Sequence, residues 1–156
     1  MRDESEDDPY LIKDAKMSIT FSPAGNHQYC KDHNLLKINV HPADETDVEY
    51  GLADKIGEEV REEETPFELN AANANATDIQ RILLGIIEPS PFGQVHPAAA
   101  LKRLRESDPT LMVRPGWKDG RVIECGLSAN RVMQYISILN EILLECERRE
   151  VDIVWG

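Results

Sequence analysis

The sequence has no long apolar run. Nowhere do its 156 residues approach the roughly 18 consecutive apolar side chains that a membrane-spanning helix requires. Its first residues, Met-Arg-Asp-Glu-Ser-Glu-Asp-Asp, are acidic and contain no apolar core, so a secretory leader is not expected. Cysteine is scarce: Cys30, Cys125 and Cys146 are an odd number at unrelated spacings, which fits reduced thiols in a cytoplasm better than a disulfide framework. The sequence also lacks a P-loop, Gly-x-Gly-x-x-Gly, Gly-x-Ser-x-Gly and His-Glu-x-x-His, so no residue is assigned a catalytic role. There is no internal repeat and no long linker.

Positive charge is short in the first half. Residues 1–69 carry 7 basic and 18 acidic side chains, whereas residues 70–156 carry 10 and 11, so most of the net −12 sits at one end. Such a field opposes direct binding to nucleic acid or anionic lipid, and it suits either solubility or a basic protein partner.

What is present is clearest in the last third. Val132, Tyr135, Ile136, Leu139, Ile142, Leu143 and Cys146 recur at steps of three and four, which predicts a long helix with one apolar stripe. Ser128 is placed to cap its start, and Arg148 and Arg149 oppose the negative end of its dipole. Residues 122–125 and 151–155 read as strands on either side, making Cys125 and Cys146 small core residues.

Earlier, residues 17–22 and 35–40 alternate as strands, with the polar stretch from His27 to Asn34 between them read as a loop. Val48, Leu52, Ile56 and Val60 follow an i+4 stripe, with Thr46 and Glu49 in capping-box spacing, predicting a helix from Thr46 to about Glu64. Its outer face would then carry Glu58, Glu59 and Glu62. Phe67 to Leu69 reads as a short strand, Ile79 to Ile86 as a helix, Glu88 to Pro97 as a loop, and Pro97 to Glu106 as a short helix with Ala98, Leu101 and Leu104 inward. Leu111 to Val113 reads as a strand before the turn at Pro115 to Gly120. The expected architecture is α+β: a mobile acidic tail over 1–9, then a single domain over 10–156 with helices packed on a mixed β-sheet, a long C-terminal helix and a closing strand.

Around Asn73-Ala74-Asn75-Ala76, and again at the terminal helix ending in Val154-Trp155-Gly156, the chain resembles a group of small uncharacterised bacterial proteins. The resemblance implies a bacterial, cytoplasmic origin. It assigns no activity and no site residue.

Three stretches have chemical potential. His27, Cys30 and His33, followed by His41, group imidazoles and a thiol of the kind zinc prefers, with Asp32 as an oxygen donor; a Cys30 nucleophile with His27 or His33 as base is a weaker variant. Asn70, Asn73 and Asn75 offer amides at a strand-to-helix junction, where asparagine also caps helices and satisfies turns. Residues 96–121 form the basic region, with Lys102, Arg103, Arg105, Arg114, Lys118 and Arg121 near Phe92 and Trp117, fitting an anionic ligand or a homodimer contact. The first reading is a non-enzymatic bacterial interaction protein of immunity, antitoxin or adaptor type. It has no cofactor, and Glu58, Glu59 and Glu62 face a basic protein partner. The alternative is a zinc protein or enzyme centred on His27, Cys30 and His33, and the third is an acidic mimic of nucleic acid.

Overall fold

The computed structural model describes residues 18–120, 122–124 and 126–156. The acidic tail 1–9, the segment 10–17, Arg121 and Cys125 lie outside the described residues. Contacts sort the chain into two compact units, one formed by residues up to Ala24 with Phe67–Gly156, the other by Gly25–Pro66. The sequence reading placed no boundary inside 10–156. Among the described residues, no helix is long and apolar enough to cross a membrane.

The elements run β1 (Ser18–Pro23), α1 (Asn26–Asp32), β2 (Lys37–Pro42), α2 (Glu45–Glu49), β3 (Glu59–Glu64), β4 (Leu69–Ala72) and α3 (Asn73–Asp78). Then come a π-helical turn (Ile79–Leu83), β5 (Gly93–Val95), α4 (Pro97–Glu106), a 3-10 turn (Pro109–Met112), β6 (Trp117–Asp119), β7 (Val122–Glu124), α5 (Ala129–Arg149) and β8 (Ile153–Trp155). The class is α+β, with the long terminal helix and closing strand as expected. The sheets, however, are not mixed, because every described strand pairing is antiparallel.

The larger unit is organised by a four-stranded sheet in the order β4-β1-β8-β5. Helix α5 lies against it. Val132, Tyr135, Leu139, Ile142, Leu143 and Cys146 are buried in one core with Ile19, Phe21, Leu69 and Ile153, and Ile136 packs at its margin. Ser128 caps the helix, its hydroxyl accepting from Arg131 N at 3.1 Å. The far end stops with Glu150 in the left-handed region (φ +57°), and Val151 N–H reaches back to Cys146 O, which turns the chain into β8. Burial pushes the Cys146 thiol up to about 12, so it is an inert core group.

Gly93 stands opposite Trp155 in the sheet. A Cβ there would come within 2.3 Å of the indole, so only glycine lets the ring lie across β5. The indole N–H donates to Ser90 O, and Ser90 N–H donates to the side chain of Gln80, which is buried in the π-helical turn. The loop before β5 is thus fastened at both its backbone groups. The expected loop over 88–97 missed β5. Expected strand 111–113 is instead the 3-10 turn capped by Asp108, and Ala98 is exposed while Ala100, Leu101 and Leu104 are buried.

The Gly25–Pro66 unit is built differently. Strands β2 and β3 form a two-stranded antiparallel ribbon, Lys37↔Glu64 through Pro42↔Glu59. Asn26 Nδ2 donates to Pro66 O at 2.8 Å and so ties the unit's first turn to its last residue. Its buried apolar cluster is Ala43, Ala53 and Val60 alone. The predicted helix over 46–64 is not formed: α2 ends at Glu49, and Gly51 (φ +76°) and Gly57 (φ +91°) turn the chain into β3. Of its expected stripe, Leu52 and Ile56 are more than half exposed. The capping box also lies two residues earlier than expected, between Asp44 and Asp47.

Candidate functional site

Strand geometry sorts the side chains of the β2–β3 ribbon onto two faces, because neighbours alternate and directly paired residues share a side. Asn39, His41, Val60 and Glu62 lie on the face that carries buried Val60. Ile38, Val40, Arg61 and Glu63 lie on the other, where Ile38 is 50% and Val40 47% exposed.

On the first face three chemical groups converge. Nδ1 of His41 lies 3.0 Å from Pro42 O, and its Nε2 lies 2.8 Å from Glu62 Oε1. Asp47 approaches from α2, with Oδ2 3.7 Å from His41 Nδ1. This carboxylate is aimed by the capping box: Asp44 N–H donates to Asp47 Oδ2, and Asp47 N–H donates to Asp44 Oδ1, both at 2.9 Å. The hydrogen bond with Glu62, then the Pro42 carbonyl, raises the His41 pKa above its ordinary value. Asp44 is lowered, chiefly by the hydrogen bond from Asp47 N–H. Among the described residues, His41, Asp47 and Glu62 are the one set of at least three such donors close enough to share an ion.

The histidine–cysteine group expected from sequence does not assemble that way. His27 and Cys30 lie on α1 and His33 follows as its C-cap residue, and each side chain is engaged separately. Cys30 is fully buried, its thiol directed to Asn26 Oδ1; His27 bonds Thr65; and His33 stacks on Tyr29 with its ring nitrogen at the Tyr29 carbonyl. Only His41 of the four enters the donor set. Glu58, Glu59 and Glu62 do not share a face either. Glu58 accepts from Asp54 N in the preceding turn, Glu59 lies beside Arg61, and Glu62 meets His41. The reason is the strand: positions three apart project to opposite sides of it. Asp47 was missed, although its three-residue spacing from Asp44 is a capping-box signal visible in sequence.

Of the remaining candidates, Asn75 and Arg114 are held by structural partners. Asn75 joins a network in which Arg114 donates to its carbonyl oxygen (2.6 Å) and to Asp78 (3.1 Å), while its own amide donates to the Tyr135 hydroxyl. Asn70 and Asn73 are exposed. In the basic region Arg114 is therefore held inward, whereas Lys102, Arg103, Arg105 and Lys118 are exposed. Comparison with protein-family models, with curated proteins and with solved structures gives no match to this chain.

Proposed function

We propose that this chain is a non-enzymatic interaction protein whose Gly25–Pro66 unit presents an acidic, partly apolar surface to a basic protein partner. One observation carries the reading. Over a buried cluster of three residues, the same unit exposes Leu35, Ile38, Val40, Tyr50, Leu52 and Ile56 at 40–73%. It also holds 4 basic and 11 acidic side chains. An apolar strand face rimmed by carboxylates matches a partner surface of mixed apolar and cationic character, with charge setting encounter rate and register while apolar burial supplies adhesion. Exposed isoleucine and valine favour a protein over the nucleic-acid-mimic reading, since a mimic needs carboxylates in place of phosphates and no apolar face. An immunity or antitoxin-type inhibitor, or an adaptor, in a bacterial cytoplasm fits this chemistry.

The test begins with capture on the immobilised full chain, followed by titration of the purified captured protein against wild type and variants. The expected partner is basic, binds one to one, and weakens as salt rises. Ile38→Asp with Val40→Asp, and separately Glu59→Lys with Glu63→Lys, should each reduce affinity at least about tenfold. Unchanged affinity in both variants would remove this face from the interaction. Sedimentation of the chain alone covers the homodimer: a dimer lost in the Ile38→Asp, Val40→Asp chain would make a second copy the occupant and overturn the basic-partner reading.

A further inference from the structure

We propose that the open edge of β3 takes up an extended basic segment of the partner as a third strand of the ribbon, an inference that rests on the basic-partner reading above and names how such a partner is held.

The edge follows from the ribbon's register. Among the described residues, β2 and β3 pair only with each other. At the ribbon's end Gly57 N–H donates to Ala43 O (2.9 Å), and Ala43 N–H donates to Glu58 O (2.7 Å). With Gly57 at φ +91°, these two bonds form a glycine bulge and mark Ala43 and Glu58 as a hydrogen-bonded pair. Antiparallel pairs alternate between bonded and unbonded. His41↔Val60, Asn39↔Glu62 and Lys37↔Glu64 therefore exchange the ladder bonds. Glu59, Arg61 and Glu63 turn their N–H and C=O groups away from β2, and no described residue bonds to them there.

The opposite edge is poorer. On β2 the outward positions are Ile38, Val40 and Pro42, and proline has no N–H to offer. Strand β3 contains no proline, and all of its residues except Val60 are exposed. A two-stranded ribbon is marginal by itself, and a third strand would give β3 the second neighbour that β1 and β8 each have in their own sheet.

Charge selects the occupant. Strand β3 carries Glu59, Glu62, Glu63 and Glu64 against Arg61 alone. Glu59 lies 3.8 Å from Arg61 and Glu64 lies 3.9 Å from Lys37, whereas Glu63 has no cationic partner among the described residues. A second β3 on this edge would set glutamates beside glutamates. The charge that keeps copies apart therefore admits a strand with lysine or arginine at alternate positions. Backbone hydrogen bonds would hold an extended segment of any sequence, and the carboxylates would choose among sequences.

The probe is a short capped peptide in which lysine alternates with valine and threonine, titrated calorimetrically into the full chain. It should bind one to one. The same peptide N-methylated at its central residues keeps its charge and loses its edge donors, and it should bind at least about tenfold more weakly. On the protein, Arg61→Pro removes an outward N–H without breaking a ladder bond, and it too should weaken binding about tenfold or more. Arg61→Gln makes the same change in charge and keeps the N–H, so it should bind as tightly as wild type or tighter. In the complex the Arg61 and Glu63 amides should exchange at least about tenfold more slowly than in the free chain. Equal binding of both peptides, unchanged by Arg61→Pro, would overturn strand addition and leave an acidic surface that attracts cations. Neither peptide bound even at low salt would overturn the acidic-surface reading as well. A dimer of the free chain that Arg61→Pro dissolves would place a second copy on this edge and overturn the basic-segment assignment.

Discussion

The two units of this chain solve the same problem with unequal means. The larger buries an extensive apolar cluster beneath α5 and backs it with a sheet in which even the indole N–H and the Ser90 backbone are satisfied. The Gly25–Pro66 unit has a buried apolar cluster of three residues and leaves two of its strand residues, Ile38 and Val40, half in water. It keeps these β-branched side chains exposed and has eleven acidic side chains in its sequence, while the larger unit places most of its large apolar side chains in its own core.

The strongest way to break this contrast is to cut equivalent groups from each core. Leu139→Ala, at a fully buried position, should lower the stability of the larger unit by about 2–5 kcal/mol in chemical denaturation. Val60→Ala should cost about 1 kcal/mol and register chiefly in the amides of 25–66. Equal losses, spread over the whole chain, would mean that the two units share one cooperative core.

Next in size is the close approach at Gly93. Gly93→Val forces a side chain into the Trp155 ring, with an expected loss of about 1–3 kcal/mol and a shift in tryptophan fluorescence. A neutral effect would show that the indole moves aside freely.

A smaller, pH-dependent effect should appear at Glu145, a buried carboxylate held by Arg148 and Arg149 near the end of α5. The hydrogen bond from Arg148, and then that from Arg149, keeps its pKa below the ordinary glutamate value. A carboxylate lowered in the folded state stabilises above its unfolded pKa of about 4.3, and that contribution disappears as pH falls through the folded value. Glu145→Gln should therefore cost about 1 kcal/mol at neutral pH and nothing once the native carboxyl is protonated. A difference that persists unchanged into acid would assign the effect to packing.

Much of the larger unit was legible because its signals are redundant. In α5 the stripe of seven residues, the Ser128 cap and the terminal arginines all point to one helix, and β8 follows at the expected place. In the Gly25–Pro66 unit the signals are sparse and compete. Val48, Leu52, Ile56 and Val60 mimic a helical stripe by spacing alone, yet only Val60 of the four is buried, and two glycines at positive φ break the run. Helix α1 escaped notice because it buries just Asn26 and Cys30. The cluster was partly legible: His41 was singled out as a metal ligand with the α1 residues and Glu62 as a partner contact, whereas Asp47 was missed although its capping-box spacing from Asp44 is visible in sequence.

The smallest expected effect on stability is on the exposed ribbon face. Ile38→Asp and Val40→Asp should each change stability by no more than about 0.5 kcal/mol in the free chain, because neither is in the core. A loss of several kcal/mol by chemical denaturation would mean that this face is packed in solution and is no docking surface.

Native-state amide hydrogen exchange on the free full-length chain tests the contrast most directly. The account predicts two tiers: amides of Ile38, Val40, Arg61 and Glu63 should exchange through local openings well below the global unfolding free energy, while those of Leu139, Ile142 and Leu143 exchange only with global unfolding. Equal protection in the ribbon and in α5 would contradict it, because the 25–66 unit would then be as firmly closed as the core it is contrasted with.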